Sequence, residues 1–181
     1  MINSRANLNQ KRFIVIDDEL SHLKKMHAII TGNGGVAVFV QTKPSTDRPL
    51  PVDAQVLLID DRSVKDFLTR TVSQLLESHP DSIIICDNKL DPQNEIRGTL
   101  FAEELRKHGY NQAFILHTSD EREFLNLRYV DGYIDKYSLL GLVTDKATQI
   151  VADEVKVAQE KALARLQAKG AQIGADGGRK I

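Results

Sequence analysis

A chain of 181 residues with 41% hydrophobic and 27% charged residues has the size and balance of one globular domain with a sizeable core. A formal net charge of −1 argues against a general nucleic-acid-binding or anionic-membrane surface, and no stretch approaches the ~20 apolar residues that span a bilayer. The one cysteine, Cys86, excludes an internal disulfide and a cysteine zinc cluster, and inside an apolar run it reads as a packed thiol.

The opening MINSRANLNQKR is polar and carries no hydrophobic signal region behind its charges, so residues 1–11 read as a flexible N-terminus and the expected location is cytoplasmic. FIVI (13–16) is the first short apolar run, and Leu20, Leu23, Met26, His27 and Ile30 follow at the spacing of one helix face. Between that helix and VLLI (56–59) lies a segment holding the strand-like VAVFV (36–40) and a loop with Pro44, Pro49 and Pro51. Residues 33–55 read as an insertion with an extra strand; alternatively VAVFV is itself the second sheet strand and VLLI the third. Val64, Phe67, Leu68, Val72, Leu75 and Leu76 make an amphipathic helix closed by His79-Pro80, after which SIIIC (82–86) forms a further strand. Gly98 to His108 reads as a helix stopped by Gly109, and AFILH (113–117) and GYI (132–134) supply the last strands. Past Lys136, apolar residues recur at three- and four-residue steps to about Ala168, before a Gly-rich tail that reads as disordered.

Continuous apolar runs are what a parallel sheet covered on both faces requires, and helices between them imply βαβ crossovers in a three-layer α/β fold. The strands end on polar groups in one sense. FIVI runs into Asp17-Asp18-Glu19, SIIIC into Asp87, AFILH into Thr118-Ser119, and GYID delivers Lys136. In an open parallel sheet these strand ends converge, so Asp17, Asp18 and Asp87 would meet in a small volume. Carboxylates that close repel one another, and a hard divalent cation such as Mg²⁺ removes the penalty. Lys136 adds a positive charge and Thr118 a hydroxyl donor, which together suit the positioning and charge neutralisation of phosphoryl transfer. Asp87 is then the nucleophile, forming an acyl phosphate. Asp60-Asp61 also follows an apolar run but lacks a matching Thr and Lys, and reads as a helix-capping turn.

FIVIDDE, IIICDNKLDP, GTLFAEELR, ILHTS and DGYIDKY resemble, in that order, the acidic-pair strand, phosphoacceptor strand, following helix, switch strand and lysine strand of response-regulator receiver domains. The resemblance covers about residues 12–155, leaving 156–181 as a helix extension and tail. It implies a flavodoxin-like, doubly wound five-stranded parallel sheet of order 2-1-3-4-5, the winding for which the chemotaxis receiver is itself a standard example. It further implies that Asp17, Asp18 and Asp87 hold Mg²⁺ with the backbone carbonyl of Lys89, and that Thr118 and Tyr133 are the switch pair. The implied donor is a histidine kinase or histidine phosphotransfer protein, with a downstream protein partner reading the switch. Such a chain is a phosphoacceptor with autodephosphorylation rather than a conventional turnover enzyme. The chain departs from the family pattern in its 33–55 segment, in Asp91 before Pro92, and in Tyr137 after the lysine where proline is usual. Lys89 and Asp120 flank the pocket and are expected to pair and restrict water. The stripe Val151, Val155, Ala158 and Ala162 would suit a homodimer or partner contact; alternatively it belongs to a single solvated helix that completes the domain. Two other readings compete: a receiver-like module that is never phosphorylated and only mediates interaction, and a small-molecule phosphatase, disfavoured because Lys89 stands where such enzymes place a second acid.

Overall fold

The computed structural model describes residues 8–42, 50–51, 54–58, 64–90, 96–142 and 144–176. Strand β1 (Arg12–Asp17) leads to helix α1 (Leu20–Thr31), then to strands β2 (Val36–Gln41) and β3 (Gln55–Leu58) and helix α2 (Val64–Ser78). Strand β4 (Ile83–Cys86), helix α3 (Gly98–Lys107), strands β5 (Phe114–Thr118) and β6 (Gly132–Asp135), and helices α4 (Lys136–Leu139) and α5 (Thr144–Asp176) complete the chain. Neighbouring strands are all parallel, in the order β3-β2-β1-β4-β5-β6. Within it, β2-β1-β4-β5-β6 has the 2-1-3-4-5 winding of a flavodoxin-like fold, and β3 adds a sixth strand at the edge.

The choice between VAVFV and VLLI is thereby decided. VAVFV pairs along β1 from Arg12↔Val36 to Asp17↔Gln41, so it is the second sheet strand and not an insertion, and the extra strand is Gln55–Leu58. The α1–β2 turn is the physical reason. Gly34 takes a left-handed φ of +78°, and the Gly35 N–H donates to the Ile30 carbonyl at 2.9 Å, so the chain reverses at once and Val36 N–H reaches the Lys11 carbonyl. That bond opens the β1–β2 ladder, which then runs in register to Asp17↔Gln41. Asp60-Asp61, the Asp91-Pro92 departure, residues 1–7 and residues 177–181 lie outside the described residues.

Strand alternation sorts the core into two layers. Phe13, Val15, Ile83, Ile85, Ile115 and Ile134 face α1 and α5, whereas Ile14, Ile16, Ile84, Phe114 and Leu116 face α2 and α3. Cys86 is buried in the second layer, as the apolar run implied. The β5–β6 connection, residues 119–131, contains no α-helix, only a 3₁₀ turn at Arg122–Phe124. Leu125, Leu127, Tyr129 and Val130 pack on the second layer where a crossover helix would otherwise lie.

Helix α5 has 33 residues, roughly 50 Å at 1.5 Å per residue. It continues through Gly170 and Gly174 to Asp176, beyond the expected stop near Ala168, since each glycine costs an Ala-rich helix only about 1 kcal/mol. Of the two readings of the stripe Val151, Val155, Ala158 and Ala162, the domain-completing one holds, because these residues are buried in the chain's own core. The stripe covers the sheet and is therefore spoken for within the domain. Further along, Arg165 reaches Asp131 and the Asn111 carbonyl, and Lys169 reaches Asn111 Oδ1 at 2.9 Å. No helix among the described residues is long and apolar enough to cross a membrane.

Candidate functional site

β1, β4, β5 and β6 lie side by side and end on one rim of the sheet. Asp17 is the last residue of β1, Asp87 follows β4, Thr118 ends β5 and Lys136 opens α4 directly after β6. Asp87 is seated by its own backbone, whose N–H donates to the Ile16 carbonyl at 2.8 Å. Lys136 is held by α4, where Asp135 caps the helix by accepting from the Tyr137 N–H at 2.9 Å.

The side chains converge. Carboxylate oxygens of Asp17, Asp18 and Asp87 all lie within 4.8 Å of one another, a volume sized for a metal ion. Lys136 Nζ stands 2.9 Å from Asp87 Oδ2 and 3.0 Å from Asp17 Oδ2, with all three side chains buried. The contact with Asp17 is an ion pair outside hydrogen-bonding angles, so Asp17 Oδ2 is buried without a hydrogen-bond donor. Asp17 Oδ1 is better served, accepting from the Glu19 N–H at 2.9 Å.

Charge in the cluster is unbalanced. Burial and the neighbouring Asp17 and Asp87 carboxylates push Asp18 up to about 6. Asp87 is also raised, by burial and by Asp17, against the pull of Lys136. Burial acts the same way on Asp17, but His22, Lys136 and the Glu19 N–H outweigh it and hold that carboxyl below the usual range. Burial opposes the charge on Lys136, yet Asp17 and Asp87 raise its pKa overall. One ammonium therefore serves three carboxylates. A hard cation with oxygen ligands fits this donor set and would satisfy the orphaned Asp17 oxygen.

The rim also carries a hydrogen-bonded loop system. Asn88 N–H donates to Asp87 Oδ1 at 2.6 Å, and Lys89 Nζ pairs with Asp120 Oδ1 at 3.2 Å, as the sequence had suggested. Thr118 Oγ1 accepts from the Asp120 N–H at 3.2 Å, and Tyr133 Oη donates to the Asp120 carbonyl at 2.7 Å. Helix α3 starts against Asp87: a Cβ on Gly98 would lie 2.3 Å from the Asp87 carbonyl oxygen, so only glycine allows this approach.

Three participants were not foreseen. His117 shares the sheet face of Asp17 by strand alternation, and its Nδ1 lies 3.8 Å from Asp17 Oδ2. Burial lowers its pKa to about 3, so it is a neutral neighbour. His22, one turn into α1, brings Nδ1 to 3.5 Å from Asp17 Oδ1. Asn88, an amide between two charged residues, has no motif of its own. Only the parity of His117 with the apolar residues of β5 was a usable signal.

No protein-family model matches the chain, and no curated protein matches it. Solved response regulators do resemble it. A LuxR-family DNA-binding response regulator from Staphylococcus aureus shares 16% identity at a TM-score of 0.48, over 82% of this chain and 98% of that one. The response regulator TrrA from Thermotoga maritima, solved in complex with Mg²⁺-BeF, shares 18% identity at 0.47, over 80% and 98%. The signal receiver domain of the NarL response regulator from Mycobacterium tuberculosis shares 17% identity at 0.48, over 82% and 98%.

Proposed function

We propose that the chain is a receiver module that accepts a phosphoryl group on Asp87 in a Mg²⁺-dependent reaction. The observation that carries this reading is the trio of carboxylates within 4.8 Å, two of which, Asp87 and Asp17, are bridged by Lys136 at 2.9 and 3.0 Å. An Asp87 carboxylate oxygen attacks phosphorus and forms an acyl phosphate. The bond from phosphorus to the donor's imidazole nitrogen breaks with its electron pair, and the released imidazole takes up a proton. The donor class is a histidine kinase or a histidine phosphotransfer protein. Asp17, Asp18 and Asp87, with the Lys89 carbonyl, would hold Mg²⁺, which when bound supplies charge neutralisation for the incoming phosphoryl oxygens. In this reading Lys136 pairs with the new charge and Thr118 donates its hydroxyl to it. Tyr133, joined to the same loop through Asp120, then reports the change to a downstream protein partner. Hydrolysis of the acyl phosphate resets the site, and the Lys89–Asp120 pair limits the entry of water.

Acetyl phosphate with Mg²⁺, followed by intact-mass measurement, tests this directly. Wild type should gain one phosphoryl group and Asp87→Ala none. Failure of wild type to gain mass would leave the interaction-only module as the better reading, and steady turnover of a phosphate ester would point to a phosphatase.

A further inference from the structure

Asn88 is 3% exposed and uses each of its polar groups. Its backbone N–H holds Asp87 Oδ1 at 2.6 Å and its carbonyl accepts from the Gly98 N–H at 3.0 Å. The side-chain Oδ1 accepts from the Thr99 N–H at 3.3 Å and Thr99 Oγ1 at 3.4 Å, and Nδ2 donates to Asp120 Oδ2 at 2.8 Å. The neighbours fix the orientation of this amide. A backbone N–H can only donate and an ionised carboxylate can only accept, so the NH₂ must face Asp120.

Asp120 joins that amide to the rest of the loop, since its own N–H holds Thr118 Oγ1 and its carbonyl holds Tyr133 Oη. We propose that Asn88 is a positioning residue whose buried side chain couples the Asp87 loop to residues 119–131 through Asp120. The functional part of this inference rests on the receiver reading above. A change at Asp87 Oδ1 alters the acceptor of the Asn88 N–H, tilts that peptide, and moves the amide on which Asp120 is seated. Lys89 also reaches Asp120, but it is half exposed, so its pairing is screened by water and salt. The buried amide is the stronger link. With no α-helix in the β5–β6 connection, the position of residues 119–131 depends on such anchors.

A double-mutant cycle on the full chain tests the bridge. Hydrogen exchange of residues 119–131 is measured without metal for wild type, Asn88→Ala, Asp120→Ala and the double variant. Each single change should speed exchange there, and the double should fall short of the product of the singles by roughly threefold or more. Exchange in β1 and α5 should stay unchanged. Asn88→Asp keeps the side-chain shape but sets a carboxylate against Asp120, and should match Asn88→Ala. Multiplicative effects, or a wild-type loop in Asn88→Asp, would overturn the bridge.

A second arm uses acetyl phosphate and Mg²⁺. Wild type and Asn88→Ala should both load Asp87 by intact mass, but only wild type should show altered exchange at 119–131. An equal loop response in both would overturn the coupling. If wild type fails to load at all, the receiver reading falls, while the metal-free cycle still decides whether the bridge exists.

Discussion

The two rims of the sheet each bury aspartate, and they solve the charge problem in opposite ways. At the end of β1 and β4, three carboxylates share one ammonium and an Asp17 oxygen has no hydrogen-bond donor. At the other rim, just before β6, Asp131 alone takes Arg106 at 2.9 Å, Arg165 through both terminal nitrogens, and the Phe114 N–H at 3.0 Å. There cations exceed anions, and burial with the nearby Arg165 holds Arg106 down to about 10 against the pull of Asp131. The difference separates a structural clamp from a binding site. A carboxylate saturated by guanidiniums and backbone ties β5, β6, α3 and α5 together and has no capacity left for a ligand. A carboxylate cluster short of positive charge stores repulsion that an incoming cation relieves.

The comparison breaks most visibly at Asp131. Asp131→Ala leaves two guanidiniums without their carboxylate and the Phe114 N–H without its acceptor, and should cost about 3–5 kcal/mol in urea unfolding. A loss under ~1 kcal/mol would make the clamp an ordinary surface pair. Lys136→Met acts on the other rim. Removing the competing ammonium should tighten Mg²⁺ by roughly tenfold in calorimetry, while phosphoryl uptake from acetyl phosphate slows by roughly 100-fold. Parallel loss of both would mean that Lys136 mainly shapes the site.

Asp18 sharpens the contrast through pH. Its folded pKa of about 6 lies above the ordinary carboxylate value, so its contribution favours the fold at low pH and is lost as pH rises through about 6. Asp18→Asn should therefore be neutral near pH ~4 and should stabilise the metal-free chain by about 1 kcal/mol near pH ~7.5, after allowance for screening at this half-buried group. Saturating Mg²⁺ should reverse the order at the higher pH, because the wild-type carboxylate gains a cation and the amide does not. Equal unfolding midpoints at both pH values would remove the stored repulsion. Lys89→Ala is the smallest change, under ~1 kcal/mol in stability for a half-exposed pair. Its effect should appear in the lifetime of the phosphoryl group, which shortens if Lys89 and Asp120 restrict water. An unchanged lifetime removes that role.

Much of this architecture was legible in the amino-acid order, for a definite reason. Strands buried on both faces must be continuous apolar runs, and a run that stops on Asp17, Asp87, Thr118 or Lys136 marks the sheet end where polar side chains gather. Pairing was less visible. Nothing in VAVFV or VLLI says which of them lies beside β1, because both suit a covered strand; the Gly34 turn decides it only once its backbone is known. The stripe of α5 was equally ambiguous, since a helix face suited to a partner is also suited to its own sheet.

Composition and periodicity determined the α/β class, the rim and the residues at its centre, because burial and strand period act locally along the chain. Tertiary structure alone decided the rest: the sixth strand, the helix-free β5–β6 connection, the histidines beside Asp17, and the Asn88–Asp120 bridge. Those features join residues distant in the chain, and a contact between distant residues is set by the packing of whole elements.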